Sequence, residues 1–224
     1  MKKYKSIIFD CDGVILNSNK IKTETFRNIL RGFQESAIEE FINYHQNNGG
    51  ISRYIKLDYF LTNILPKYSK FPEDKENILL SLLTNYSNEC KECLYKSEVA
   101  DNLEKLKTIT NEIPWIIVSG SDQKELRDVF DYKKLSKFFN GGIFGSPEKK
   151  FDIINREKSI GFIKYPALFL GDSKLDHAVA KSLNIDFLFV SNWTDFRGYA
   201  SYCRDNSVET INSVSELIDI FKKF

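Results

Sequence analysis

The chain has 224 residues, of which 42% are apolar and 28% are charged, and its formal net charge is +1. This composition is typical of a globular protein, and the small net charge favours neither nucleic acid nor an acidic membrane as a partner. No stretch reads as a signal-peptide core or as the roughly 18 apolar residues of a membrane span. We therefore expect a cytoplasmic protein, and the sequence leaves monomer and homodimer open.

The first predicted element is a strand that ends at Asp10, after the apolar run Ile7-Ile8-Phe9. From residue 20 to about residue 95, apolar residues recur at helical spacing and predict about four helices. Short apolar runs that alternate with helical segments predict further strands at 114–120, 141–146, 167–172 and 186–191. Pro147 suits the first position of a helix, so we expect a helix to begin there.

Continuous apolar strands that alternate with helices are typical of a parallel sheet covered on both faces. The predicted fold class is therefore α/β, with a Rossmann-like doubly wound parallel sheet as the core domain. We assign residues 1–17 and 98–224 to this core and residues 18–97 to an inserted, all-helical cap domain.

Polar side chains stand at the ends of several predicted strands. Asp10, Ser119 and Asp172 end three of them. Ligands of open parallel sheets bind outside the carboxyl ends of the strands, so these residues should share one edge of the sheet. The cap is inserted directly after the first strand and should cover that edge.

Asp10 and Asp172, with a backbone carbonyl, could bind Mg²⁺, a cation that prefers oxygen ligands. Asp176 follows Asp172 by four residues and could orient that carboxylate or a metal-bound water. Ser173 is a plausible N-cap for the helix between them.

An aspartate carboxylate at this edge could attack phosphorus and form an aspartyl-phosphate. Asp12, two residues after Asp10, could protonate the leaving alkoxide and later accept a proton from water. Ser119, the Gly120 N–H and either Lys149 or Lys150 could bind the phosphate oxygens.

One cap segment, residues 44–60, is a candidate for contact with the substrate. Its glycine pair permits a tight turn close to the strand ends, and Ser52 after it is a plausible N-cap. Arg53 would lie in the first helical turn, where its charge opposes the helix dipole. We weigh a substrate-facing role for Arg53 equally against an exposed arginine, paired with Asp58 or with nothing. His45 is interpreted as packed or exposed rather than catalytic.

Each motif alone has a simpler interpretation, as a solvated turn, a loop, a helix N-cap or a pair of exposed lysines. Their common order and position at strand ends make coincidence a poor explanation. The segments FDCDGVILNSN, VSGS, GSPEKK and GDSKLD resemble the four motifs of the haloacid dehalogenase superfamily, in its phosphatase and phosphomutase branch with a type C1 cap. The resemblance covers the whole chain.

The resemblance implies that Asp10 is the nucleophile and Asp12 the general acid and base. It also implies that Ser119 binds phosphate and that Asp172 binds Mg²⁺ together with Asp10 and the Asp12 carbonyl. The third motif departs from the family pattern, because its proline precedes the lysines; we favour Lys150 as the phosphate-binding lysine.

We therefore predict a Mg²⁺-dependent phosphatase for a small phosphorylated metabolite, with a phosphosugar as one candidate. One alternative is a β-phosphoglucomutase-like phosphomutase, which would return the phosphate to a sugar hydroxyl. The other is a catalytically silent module that binds a phosphorylated ligand.

Overall fold

In a computed structural model, which describes residues 4–69 and 74–222, a single parallel sheet has the strand order β3-β2-β1-β4-β5-β6. The strands are β1 (Ser6–Phe9), β2 (Trp115–Asp122), β3 (Ile143–Ser146), β4 (Ala167–Gly171), β5 (Asp186–Val190) and β6 (Thr210–Ile211). The predicted α/β, doubly wound fold class is confirmed. Residues 223–224 of the predicted last helix lie outside the described residues.

The helices run on both sides of this sheet and in the insertion after β1. The α-helices of the described residues are α1 (Asn19–Ile29), α2 (Glu35–Asn47), α3 (Arg53–Tyr59), α4 (Lys75–Lys96), α5 (Leu103–Ile109), α6 (Gln123–Tyr132), α7 (Lys150–Ser159), α8 (Lys174–Ser182), α9 (Tyr199–Asp205) and α10 (Leu217–Lys222). A π-helical turn (Phe60–Ile64) follows α3, and short 3₁₀ turns span Leu65–Lys67, Ser136–Phe138 and Val214–Glu216. In the described part of the chain, none of these helices has the length and apolar character needed to span a membrane.

Strand β1 is buried on both faces, which explains its uninterrupted apolar sequence. Phe9 packs against Trp115, with ring centroids 4.9 Å apart, in the larger of two apolar clusters. Ile8 points to the opposite face and packs in the second cluster with Ile116 and Phe169. Packing on both faces of the sheet therefore fixes the position of the carboxyl end of β1.

The insertion after β1 has an aromatic centre of its own. Phe26 of α1 packs edge-on against Phe41 of α2, and Phe41 packs against Phe60 after α3. Helix α4 packs against α1 and also against α6, which follows β2. The insertion therefore lies on the sheet-bearing part of the chain. Its treatment as a separate cap domain stays a prediction.

Candidate active site

The candidate site lies where the strand order reverses, between β1 and β4. Asp10 follows β1 and Asp172 follows β4, so the two carboxylates face the same crevice. The loop at 48–52 of the insertion lies over this crevice and lines a cavity of about 70 Å³. Asp10 and Asp172 are 2% and 6% exposed beneath this loop.

Three buried carboxylates lie together at this point. The ligand atoms of Asp10, Asp172 and Asp176 lie within 4.8 Å of one another. Burial raises the pKa of Asp10 to about 7, and the nearby carboxylates add to the shift although Lys150 opposes it. Burial, with repulsion from Asp10 and Asp176, raises the pKa of Asp172 well above its usual range. The ionised forms of Asp10 and Asp172 are therefore disfavoured in this cluster unless a further positive charge stabilises them.

Lys150 supplies the positive charge inside this cluster. Its Nζ lies 2.9 Å from Asp10 Oδ2 and 2.6 Å from Asp176 Oδ1, and its side chain is 2% exposed. Lys149, by contrast, is exposed and has extended backbone as the N-cap of α7. The expectation that this helix begins at Pro147 is wrong, because it begins at Lys150 after that N-cap. The later start directs Lys150, in the first turn, toward Asp10.

Asp176 is held by the start of α8. One carboxylate oxygen accepts hydrogen bonds from the Ser173 N–H at 3.2 Å and the Ser173 hydroxyl at 2.6 Å, and Ser173 caps the helix in return. The other oxygen accepts from Lys150. Asp172 instead accepts a hydrogen bond from the Asn19 side chain at 2.8 Å. Asp176 thus orients Lys150 and the turn after β4.

Asp12 is held by a different set of donors. One oxygen accepts from Lys22 Nζ at 2.7 Å and from the Ser121 hydroxyl at 2.8 Å, and the other accepts from the Ser18 hydroxyl at 2.6 Å. Burial alone would raise the pKa of Asp12, but the Lys22 charge and these hydrogen bonds outweigh it and lower the pKa. Lys22 comes from α1, so the insertion completes the environment of Asp12.

The carboxyl-terminal end of β2 places its two serines differently. Ser119 is fully buried, and its hydroxyl donates to the Ser121 hydroxyl and accepts from the Ser121 N–H. Ser121, which the sequence analysis did not single out, lines the cavity together with Gly120. A Cβ on Gly120 would overlap the Gly50 carbonyl, so glycine here permits the close approach of the covering loop.

Arg53 is buried at the boundary between the insertion and the core. Its Nη1 lies 2.9 Å from Glu125 Oε2 on α6, and the two side chains are 8% and 7% exposed. The alternative of an exposed arginine paired with Asp58 is wrong, since Asp58 pairs with Lys75. Ser52 caps α3 as predicted, accepting from the Ile55 N–H.

Sequence reasoning missed Lys22, Ser121 and Glu125. Lys22 and Glu125 lie on amphipathic helices, where charged residues usually indicate a solvated face. Ser121 carried a weak signal, because it follows Gly120 in the predicted loop at the end of β2. Docking of the insertion brings Lys22 toward this loop.

A family model described as haloacid dehalogenase-like hydrolase matches residues 7–190 of the chain. A search of curated proteins found no match to this chain. Solved structures with the same fold include a haloacid dehalogenase-like family hydrolase from Streptococcus pneumoniae, at 19% identity and a TM-score of 0.67, covering 97% of this chain and 98% of that one.

Two further structures are similar over nearly their whole lengths. A β-phosphoglucomutase from Clostridium difficile has 18% identity and a TM-score of 0.68, with 98% of each chain covered. A predicted phosphoglycolate phosphatase from Haemophilus somnus has 17% identity and a TM-score of 0.75, with 98% of this chain and 99% of that one covered. At these identities the likeness shows the fold.

Proposed function

Because the chain belongs to the haloacid dehalogenase-like hydrolase family, we propose that it is a Mg²⁺-dependent phosphatase acting on a small phosphomonoester. The observation that carries this proposal is the buried Asp10 carboxylate, with Lys150 at 2.9 Å and a second acid, Asp12, in the same cavity. A nucleophile, a phosphate-binding cation and a proton carrier are the groups that this reaction needs.

In the proposed reaction, a carboxylate oxygen of Asp10 attacks phosphorus and the P–O bond to the leaving alcohol breaks. Lys22 holds Asp12 ionised in the substrate-free site, so Asp12 must first take up a proton when the substrate binds, and it then donates that proton to the departing oxygen. The resulting aspartyl-phosphate is hydrolysed by water, whose proton passes to Asp12. Lys22 and Ser121 hold Asp12 in place, while Ser119, Lys150 and the Gly120 N–H are proposed to bind the phosphate oxygens.

The carboxylate cluster fits Mg²⁺. Asp10, Asp172 and the Asp12 carbonyl are the proposed ligands. Burial and the neighbouring carboxylates raise the pKa of both aspartates, and a divalent cation would stabilise their ionised forms. When bound, Mg²⁺ would supply positive charge to the transferred phosphoryl group. Asp176 and Ser173 would then orient Lys150 and the loop that carries Asp172.

The similar structures support the same class of reaction, since they include a β-phosphoglucomutase and a predicted phosphoglycolate phosphatase. We propose that residues 18–97 form the cap domain over a core of 1–17 and 98–224, and that the enzyme acts in the cytoplasm. We propose a small phosphorylated metabolite as the substrate, with phosphosugars among the first to test.

The test is phosphate release from a panel of sugar, nucleotide and glycolytic phosphomonoesters with Mg²⁺. We expect turnover by the wild type and a loss of at least about 1,000-fold in Asp10→Asn, because the nucleophile is removed. Asp101→Asn, at an exposed site, is the matched control and should keep wild-type rates.

Full activity of Asp10→Asn would exclude the covalent mechanism. Formation of an isomeric sugar phosphate without free phosphate would indicate a phosphomutase instead. A wild type that is inert on the whole panel but binds its members would indicate a silent binding module.

A further inference from the structure

Lys56 of α3 is a buried lysine without an acidic partner in the described part of the chain. It is 3% exposed and lines the cavity. Its Nζ contacts His45 Nδ1 at 2.8 Å and the His45 carbonyl at 3.3 Å. Lys22 and Arg53, which line the same cavity, form ion pairs with carboxylates. Lys56 therefore differs from both, because no carboxylate among the described residues neutralises its charge.

A chain of hydrogen bonds fixes the position of Lys56. The Thr23 hydroxyl donates to Asp195 Oδ2 at 3.1 Å, so its oxygen is free to accept from His45 Nε2 at 3.0 Å. With its proton on Nε2, His45 accepts from Lys56 through Nδ1. Burial, together with the charges of Lys56 and Lys22, lowers the pKa of His45 well below its usual range, which agrees with a neutral ring.

This chain joins four separate segments of the protein. It runs from the loop after β5, which carries Asp195, through Thr23 of α1 and His45 of α2 to Lys56 of α3. Each hydrogen bond of this series is donated toward Asp195, beginning at Lys56. The group that contacts the Lys56 ammonium is the neutral His45 ring, which positions the ammonium without neutralising its charge. An ammonium has three donors, and the contacts to His45 use at most two of them.

A buried ammonium without a counter-ion is costly, because burial removes its hydration. Burial lowers the pKa of Lys56 to about 7, with the Lys22 charge acting in the same direction and more distant carboxylates opposing it. An anion brought into the cavity by a ligand would offset this cost. The carboxylates near Lys22 and Arg53 already serve that purpose for those two side chains.

We propose that Lys56, positioned by His45, Thr23 and Asp195, binds an anionic group in the leaving-group part of the substrate, so that the enzyme selects phosphomonoesters with a second anionic group. The second group can be a carboxylate or another phosphate. This inference rests on the proposed phosphatase function, and it assigns Lys56 to specificity rather than to the transfer of phosphate.

Two matched pairs of probes test the selection. Carboxymethyl phosphate is compared with ethyl phosphate, and propane-1,3-diyl bisphosphate with propyl phosphate, so that the two kinds of second anion are separated. We expect the wild type to prefer the anionic member of at least one pair in kcat/KM. Lys56→Met should reduce that preference by about 10- to 100-fold and leave kcat/KM for the neutral member within about threefold.

Lys67→Met is the matched control, because Lys67 is an exposed lysine of the same insertion, and it should keep the wild-type preference. Thr23→Val removes the hydroxyl from the positioning chain without touching the cavity lining. It should reduce the preference by about 3- to 10-fold with thermal stability near that of the wild type, and it replaces Lys56→Met if that variant does not fold.

A binding arm needs no turnover. In the Asp10→Asn background, calorimetry should show tighter binding of the same anionic probe, and addition of Lys56→Met or Thr23→Val should remove the difference. Equal binding of both members of each pair, or a preference that survives both substitutions, overturns this inference. Preferential binding that depends on Lys56, without turnover by the wild type, overturns the proposed phosphatase function alone.

Discussion

The floor of the cavity is lined by Asp10 and Asp172, with Asp176 and Lys150 buried directly behind them, and this group has more carboxylates than ammonium groups. One ammonium contacts two of the three carboxylates. The roof, formed by Lys22, Arg53 and Lys56 of the insertion, has the opposite character. The floor therefore has more carboxylates than ammonium groups, whereas the roof has one ammonium, that of Lys56, without a carboxylate partner among the described residues.

The two walls also balance charge in different ways. Lys150 of the floor is held between two carboxylates of its own wall. In the roof, Lys22 and Arg53 use carboxylates that follow β1 or lie on α6, outside the insertion. Only the roof therefore depends on docking of the insertion for its ion pairs. Lys56 has no such carboxylate among the described residues, which leaves its charge for a ligand.

Removal of the floor's cation should have the largest effect on stability. Lys150→Met would leave Asp10 and Asp176 buried without their cation, and we expect a loss of about 3–5 kcal/mol in the free energy of unfolding. Urea denaturation without Mg²⁺ measures it. The exposed neighbour supplies the control, since Lys149→Met should change stability by less than about 0.5 kcal/mol. A loss below about 1 kcal/mol for Lys150→Met would contradict the charge imbalance of the floor.

Removal of the ion pair between Arg53 of the roof and Glu125 of α6 should have the next largest effect on stability. Arg53→Met or Glu125→Gln leaves the other buried side chain without its partner, and each should destabilise the protein by about 3 kcal/mol. A double-mutant cycle should give a coupling of about 1–3 kcal/mol. Lys67→Met breaks an exposed pair in the same insertion and should cost less than about 1 kcal/mol. Additive losses in the cycle would show that the pair does not join the two parts.

The smallest of these effects concerns the unpaired lysine of the roof. Burial lowers the pKa of Lys56 from 10.5 to about 7, so between these pH values the unfolded chain binds more protons than the folded one. Wild-type stability should therefore gain about 2 kcal/mol from Lys56 between pH 7 and pH 9. Denaturation at both pH values, with Lys56→Met as reference, measures this gain. A stability difference between the two proteins that is independent of pH would show that Lys56 is not an isolated buried ammonium.

Most of the floor could be predicted from the sequence. Asp10 and Asp172 each follow an apolar strand, and parallel strands gather their carboxyl ends at one edge of the sheet. The sequence therefore predicts that the two carboxylates share this edge, whatever the order of the strands in the sheet. The choice between Lys149 and Lys150 was harder, because a shift of one residue in the start of α7 exchanges an exposed side chain for a buried one.

The sequence by itself determined the α/β class, the helical insertion after β1 and the carboxylates at the strand ends, because periodicity and strand polarity are local properties of the chain. Only the tertiary structure decided the partners of the roof. A charged residue on a helix has the same local pattern whether it meets solvent or another element. Docking of the insertion placed Lys22 against Asp12 and Arg53 against Glu125, and left Lys56 facing the cavity with its charge unpaired.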